Sequence, residues 1–371
     1  ATRLSRALAA RTGELPAAEA REVRYGAARV LYFAGDLEGA AALVDAIRPG
    51  GARAVVANER QILFFRAALA LAAGRLGDCR ELLERLQRYV APDSLQARFL
   101  AATDLQRRLY AGELDGLGPL LEERIAEASA AMNAHHYHPL VGLRVRLASL
   151  QHEPVSAAAP KGLETPLAPF DGLLLLYRLD HAARRGGPVE KPDPRAFAHA
   201  AELEILAGIT ASTVALVQGD AVSAVELAAE AGARAATRGY GLRQAEALLA
   251  EAEAHVASGS ADRARRALGT LDALARRFPS PRFGVESALL RALLVAAPAP
   301  ATLASVAAQR HLAPAGARRA LAILDGDDGA LDALDRRVVA RVPRGFRRVV
   351  DGSGAGWGID LSTKEVWHAN G

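Results

Sequence analysis

Three histidines form the densest group of potential metal ligands in the sequence. His135 and His138 are one helical turn apart, and His152 follows them. Neutral imidazoles are good ligands for zinc and nickel. No carboxylate stands at a matching spacing, however, and His138 precedes a proline, which favours a polar hairpin turn. We therefore predict no metal site here and keep a metal-dependent enzyme built on these histidines as a third hypothesis.

Residues 351–358 are rich in glycine, as phosphate-binding loops are. Their sequence, Asp-Gly-Ser-Gly-Ala-Gly-Trp-Gly, matches neither GxGxxG nor GxxxxGK[ST]. Both motifs also need a strand before and a helix after, so that helix N–H groups face the phosphate. A turn between two strands explains the stretch better, and we predict no bound cofactor.

Pairs of adjacent arginines occur at 265–266, 276–277, 318–319, 336–337 and 347–348. If one member of each pair faces a groove, its guanidinium would hold carboxylates or phosphates bidentately; if both point outward, they keep the chain soluble. As candidate partner-binding residues we single out Arg265, Arg266, Arg318, Arg319, Arg336 and Arg337, with Tyr25 and His255 on the predicted inner face.

Positive charge is concentrated near the C-terminus. Residues 262–350 carry sixteen arginines and eight acids, a net charge of +8, whereas residues 1–259 carry 29 basic and 31 acidic residues, a net charge of −2. One interpretation is a solvated arginine-rich face. The other is an electrostatic footprint for nucleic acid or an acidic partner.

The composition predicts a mainly helical chain. About half of the 371 residues are apolar, yet only 5% are aromatic, and charged residues recur at helical spacing. The one cysteine, Cys79, excludes an internal disulfide framework and suits a reducing compartment. No apolar run reaches the roughly 18 residues that span a bilayer. We expect a soluble, cytoplasmic protein without a membrane partner.

A glycine turn between two apolar helices recurs along the chain, first within residues 30–44. Consecutive turns are separated by 39, 38 and 40 residues, with one longer gap, and the glycines are Gly35, Gly74, Gly112, Gly219 and Gly259. Glycine tolerates the left-handed conformation that ends a helix, and the Asp or Ser that often follows caps the next helix. A constant period of this length is typical of helical solenoids.

Small or apolar residues stand at fixed distances from each glycine, where the two helices must meet. Five positions after it are Ala40, Cys79, Leu117, Ala224 and Ala264. Nine positions after it are Val44, Leu83, Leu121, Ala228 and Leu268. This pattern predicts that Cys79 is a packing residue and not a nucleophile.

These units resemble tetratricopeptide repeats, which also place a small residue seven positions before the glycine, here Ala28, Ala67, Ser212 and Ala252. The period exceeds the usual 34 residues, and the third unit, with Leu105 and Arg108 at the inner positions, departs most from the pattern. The resemblance implies an α-α superhelix with a concave binding surface. His255, four residues before its glycine, would lie on that surface, where such repeats often carry an aromatic residue.

The predicted fold is therefore all-α, an α-α superhelix with a small C-terminal β-hairpin or sheet. We predict helical arrays over residues 1–152 and 166–342, a linker over 153–165, and a groove or bend between the arrays. Residues 343–371 contain two or three short strand patterns joined by glycine-rich turns. They resemble the β-hairpin that precedes a winged helix in some regulators, and a homodimer through them is one expectation.

The leading functional hypothesis is a protein-interaction scaffold without catalytic activity. Its concave surface would hold a peptide or partner domain, as in the sensor arms of bacterial transcriptional regulators that such repeats resemble. The alternative is a nucleic-acid-binding regulator that uses the arginine-rich C-terminal third.

Overall fold

A computed structural model of the chain describes residues 2–47, 55–91, 94–155, 159–164, 170–278, 280–294, 298–326 and 328–341, and three strands beyond them. Seventeen α-helices lie within these residues. They are α1 (Thr2–Ala10), α2 (Ala17–Phe33), α3 (Leu37–Asp45), α4 (Val55–Ala72), α5 (Leu76–Gln87), α6 (Leu95–Ala111), α7 (Leu117–Ala130), α8 (Ala134–Gln151), α9 (Phe170–Arg184), α10 (Ala201–Val217), α11 (Ala221–Arg238), α12 (Gly241–Ser258), α13 (Ala261–Arg277), α14 (Pro281–Ala292), α15 (Pro300–Ala308), α16 (Pro314–Asp325) and α17 (Ala333–Val339).

The predicted turns are confirmed at all five recurring glycines. Each of them is left-handed, with φ between 77° and 91°. Asp36 then caps α3 by accepting a hydrogen bond from Gly39 N, and Asp220 caps α11 by accepting one from Ser223 N. Successive helices consequently form antiparallel hairpins, each of which packs on its neighbours.

The fixed spacings mark where the two helices of a hairpin touch. In the hairpin of α10 and α11, the Ser212 hydroxyl donates a 2.7 Å hydrogen bond to the Ala224 carbonyl. All ten residues at the positions five and nine after the glycines are at most 3% exposed. The third hairpin keeps the same contact with a larger residue, because Leu105 packs with Leu117 and Leu121 in one apolar cluster.

Hairpins that are far apart in the sequence contact each other directly. The Gly35 turn between α2 and α3 packs against Ala201 at the start of α10. The Gly74 turn between α4 and α5 packs in the same way against Leu242 at the start of α12. In both cases a hairpin contacts the hairpin four positions further along the chain.

The next two hairpins follow the same rule. Ser280, which precedes α14, donates a 2.8 Å hydrogen bond to the carbonyl of Tyr110 on α6. Arg318 on α16 donates a 2.7 Å hydrogen bond to the carbonyl of Leu150 on α8. The main apolar core accordingly contains residues from both predicted arrays. Hairpins four apart along the chain therefore pack directly against one another in all four cases.

The predicted fold class needs correction at the C-terminus. The sequence predicts a small β-hairpin or sheet of two or three strands there as part of the fold, whereas the packed core of the described residues is all-helical, made of helices and their turns alone. The backbone there follows three short antiparallel strands, β1 (Phe346–Val350), β2 (Gly356–Asp360) and β3 (Val366–His368), in the order β1-β2-β3. The third strand adds a second row of hydrogen bonds between strands. A sheet of three strands is more stable than an isolated two-stranded hairpin, which is only marginally stable in water. The side chains of this segment, and with them the expected dimer contact, lie outside the described residues.

Candidate functional site

A series of alternating charges runs between the packed helices α8, α9, α10 and α12. Arg243 on α12 contacts Glu202 on α10 at 2.8 Å and Glu246 at 2.7 Å. Arg146 on α8 then joins Glu246 to Asp180 on α9, with both contacts at 2.8 Å. We call the set the charge chain; its members, in order, are Glu202, Arg243, Glu246, Arg146, Asp180 and Arg184.

Mutual pairing keeps the buried members of the charge chain ionised. Burial alone would raise the pKa of Glu246, but Arg146 and Arg243 outweigh it and lower that pKa to about 2. Burial likewise opposes ionisation of Asp180, and Arg184 and Arg146 lower its pKa overall. Each buried charge has a neighbour of opposite sign. The charge chain therefore links four helices without leaving an uncompensated ion.

A second ionic cluster joins α12, α16 and α17. Arg319 lies 2.6 Å from both Glu253 and Asp335. Burial, together with the charge of Asp335, raises the pKa of Asp332 to about 6, whereas burial of Asp335 is outweighed by Arg319 and Arg318, which lower its pKa. The cluster therefore holds α17 against α16, which it also joins to α12.

Between the two ionic groups lies a small polar cavity of about 30 Å³. Among the described residues, Nε and Nη1 of Arg282 and Oε2 of Glu286 are buried there without a hydrogen-bond partner. Burial and the charge of Arg146 lower the pKa of Arg282, and burial raises the pKa of Glu286. The cavity has room for a water molecule, which suits such groups.

A larger cavity of about 240 Å³ opens where the charge chain reaches Glu202. We call it the aromatic pocket, because it is lined by five aromatic side chains as well as the Glu202–Arg243 pair. The aromatic residues are Tyr32, Phe33, Tyr110, Phe170 and Tyr240.

Hydrogen bonds fix several of the residues that line the aromatic pocket. The Tyr240 hydroxyl donates a 3.2 Å bond to the carbonyl of Tyr32, which ties α2 to α12. The hydroxyls of Tyr110 and Tyr177 are 3.2 Å apart. Phe33, in contrast, is 52% exposed and forms the rim. The pocket thus has a fixed floor and an accessible edge.

Tyr25, one of the predicted partner-binding residues, lines a separate apolar cavity of about 110 Å³. Phe64 and Phe99 line it too, and the Tyr25 ring packs edge-on against Phe65 with centroids 5.8 Å apart. Tyr25 is half-buried, so part of its side chain packs in the hairpin and part faces this cavity.

The predicted arginines do not form one surface. Arg319 is 1% exposed and belongs to the second ionic cluster, and Arg318 is mostly buried beside it. Arg265 is exposed and pairs with Asp262 on its own helix. Arg266, Arg336 and Arg337 are also exposed, and Arg337 donates to the Val217 carbonyl at 3.0 Å.

His255 lies in the interior and is 4% exposed. Burial, with the nearby charges of Arg263 and Arg266, lowers its pKa. Its Nε2 is 3.7 Å from Glu251 on the same helix. The side chain is therefore buried and lies outside the lining of the aromatic pocket.

The histidines of the metal hypothesis are not brought together. His135 and His138 lie in the first turn and a half of α8, whereas His152 caps its end. His135 and His152 are 17 positions apart at opposite ends of α8, which corresponds to about 25 Å of helix. No cluster of metal-ligating side chains occurs in the described part of the chain. The expected polar hairpin turn at 134–139 is wrong, because the segment is helical and includes Pro139.

The residues that sequence reasoning missed are Arg146, Arg243 and Glu246. A usable signal was present in α12: Arg243, Glu246 and Glu253 stand three and seven residues apart among alanines and leucines, on one helical face. On a surface helix such a stripe marks the solvated face. A helix with more than one buried side can instead turn a charged stripe inward, if a neighbour supplies opposite charges.

No family model, curated protein or solved structure matches this chain. Within the described residues, no helix combines the length and apolarity needed to cross a membrane.

Proposed function

We propose that this chain is a non-catalytic recognition module of the tetratricopeptide-like class, part of a regulatory or signalling protein, and that it holds a partner's peptide segment at the aromatic pocket. The observation that carries the proposal is the position of this pocket. Where hairpins four apart meet, a cavity of about 240 Å³ remains beside α2, α6, α10 and α12.

The chemistry of the pocket suits recognition. A fixed aromatic floor loses little conformational entropy when a ligand binds, and aromatic side chains dominate the energetics of many binding sites. The charge chain behind it is already ionised and internally paired. It therefore supplies a rigid base for the pocket in this proposal and takes no part in a reaction.

The experiment is a selection of peptides from a random library against the full chain. Selected peptides are then tested against Phe33→Ala, which trims the exposed rim, and against Tyr89→Ala, which trims an equally exposed aromatic residue outside the pocket. We expect at least a tenfold loss of affinity for the first variant and no change for the second. Equal affinities for both variants would remove the pocket from the proposal.

A second candidate is direct nucleic-acid binding, and a specific arrangement favours it. Arg337 packs against the Gly219 turn and Arg341 against the Gly259 turn, and both are exposed together with Arg336. Three cations thus follow one edge of the superhelix. Binding of labelled duplex DNA or single-stranded RNA that weakens with salt, and is lost in the triple Arg→Glu variant, would support this function. Absence of binding at low salt would dismiss it. The buried Arg318 and Arg319 are unsuitable for such a test, because reversing them breaks the second ionic cluster.

A further inference from the structure

The aromatic pocket has one charge available for a ligand, and that charge is negative. Glu202 and Arg243 are the charged residues among those described as lining it. The Glu202 side chain is 33% exposed, whereas the Arg243 side chain is 2% exposed. Oε1 of Glu202 accepts both hydrogen bonds from Arg243, at 2.8 and 3.1 Å. In the described structure Oε2 of Glu202 receives no hydrogen bond.

Arg243 is poorly placed to bind an anion. Its Nε and Nη2 donate to Glu202, its Nη1 donates to Glu246 at 2.7 Å, and Nη2 also lies 3.3 Å from the Tyr177 hydroxyl. An anionic ligand would have to displace one of these partners from a guanidinium that is itself 2% exposed. It would also have to approach the accessible carboxylate of Glu202, which like charges disfavour.

The aromatic residues, like Glu202, attract a positively charged ligand. The face of an aromatic ring carries negative electrostatic potential and attracts ammonium and guanidinium groups. Tyr32 and Tyr240 remain neutral phenols, because burial, with the charge of Glu202, raises both of their pKa values. A cation in this pocket would therefore meet a carboxylate and aromatic side chains at once.

From these observations we infer that the aromatic pocket binds an organic cation, an alkylammonium or guanidinium group, with Glu202 as its counter-ion. The inference rests on the proposed function, which makes this pocket the recognition site, and adds the chemical class of the ligand. The cavity of about 240 Å³ lies below the roughly 300–1,000 Å³ of sites for drug-sized ligands. A small free amine or the basic side chain of a peptide matches this size.

The test is isothermal titration of the full chain with choline and with 3,3-dimethylbutanol, which has the same shape but no charge. We expect saturable binding of choline and at least tenfold weaker binding of the neutral analogue. Glu202→Gln keeps the size of the side chain and an acceptor for Arg243, and should weaken choline binding at least tenfold. Glu190→Gln, which removes a charge from an exposed loop, is the control and should leave binding unchanged.

Phe33→Leu provides a second variant, because its rim position is half exposed and leucine keeps an apolar side chain there. It should weaken choline binding while the thermal midpoint stays within a degree or two of the parent. Equal affinity for choline and 3,3-dimethylbutanol, or choline binding that survives Glu202→Gln, would overturn the inference.

Two further titrations separate the sources of the cation. N-acetyl-arginine amide and N-acetyl-lysine methylamide carry the basic groups of a peptide without its sequence. Tighter binding of these than of choline supports a peptide side chain, and the reverse supports a free quaternary amine. If no cation binds but library peptides still require Phe33, this inference fails and the proposed function stands. If choline binds but no peptide is selected, the inference stands and the peptide-binding function fails.

Discussion

Arg243 and Glu246 are one turn apart on α12, with Nη1 and Oε2 separated by 2.7 Å, and each side chain is 2% exposed. The pair is the centre of the charge chain, since Arg243 continues to α10 and Glu246 continues to α8. Buried pairs of this kind are not necessarily stabilising compared with apolar residues of the same size. Removal of one partner is nevertheless costly, because the other charges remain buried.

The first prediction is that Glu246→Gln strongly destabilises the fold. The substitution leaves the guanidiniums of Arg146 and Arg243 facing a neutral side chain in the interior. We expect a loss of about 3–5 kcal/mol in the free energy of unfolding, measured by urea denaturation. Asp262→Asn removes one carboxylate from an exposed pair with Arg265 and should cost less than about 1 kcal/mol. Similar losses in the two variants would show that the charge chain is not a coupled unit.

The second prediction concerns the pH dependence due to Asp332. Its pKa is raised from 3.8 to about 6 by burial and by Asp335. The folded state therefore holds this proton more tightly than the unfolded state does. The resulting stabilisation is complete below about pH 4 and is lost as the pH rises towards 6. At pH 7 the ionised Asp332 is a cost to the fold.

Asp332→Asn should therefore stabilise the protein at pH 7 and flatten its stability between pH 4 and 6. The asparagine retains the N-cap of α17, where Asp332 accepts a hydrogen bond from Asp335 N. Asp220→Asn is the matched control, because Asp220 caps α11 and its bonds to Ser223 lower its pKa. The control substitution should lower the free energy of unfolding at neutral pH and have a smaller effect in acid. This is opposite in sign to the effect expected for Asp332→Asn. Urea titrations at pH 4, 5, 6 and 7 measure the effect of Asp332→Asn, and a further titration at about pH 2.5, below the ordinary aspartate pKa, measures that of the control.

The local structure could be predicted from the sequence because it depends on short spacings. The Gly35 and Gly74 turns are set by residues within a few positions, and the small residues around them report the contact of adjacent helices. Contact between distant hairpins is different, since the bond from Ser280 to Tyr110 joins residues 170 positions apart. Small changes in tilt at every hairpin decide whether such residues meet.

The predicted site shows the same limit. Adjacent residues on a helix point about 100° apart, so an arginine pair rarely serves one surface. Arg319 is buried while Arg318 is partly exposed, although nothing in their types distinguishes them. The role of Arg243 depends on the positions of Glu202 and Glu246 around it, which the sequence does not give. The aromatic pocket could not be predicted either, since its lining comes from distant hairpins.

The third prediction tests the contact between hairpins four apart. A Cβ at Gly241 would lie 2.2 Å from the carbonyl oxygen of Ala73, which belongs to the Gly74 turn, and backbone atoms there cannot move independently. Gly241→Ala should therefore destabilise the fold by about 1–3 kcal/mol.

Gly269→Ala is the control for this substitution. Gly269 lies within α13, and a Cβ there would meet nothing within 4 Å. The alanine should stabilise the helix by about 0.5–1 kcal/mol. Stability of Gly241→Ala equal to or above that of the parent protein would mean that the two hairpins are not in this contact.

The fourth prediction is that Cys79 reacts only when its hairpin opens. The thiol is fully buried, and burial raises its pKa to about 12. Because the thiolate is the reactive form, a folded molecule at pH 8 has almost no nucleophile to offer to Ellman's reagent. We expect the native rate to be at least a hundredfold below that in urea, and to rise in Gly241→Ala in proportion to the lost stability. Val222→Cys supplies a reference within the same molecule, because Val222 is 72% exposed. That variant should release one equivalent of thiolate dye rapidly and a second one slowly, whereas two rapid equivalents would place Cys79 outside the core.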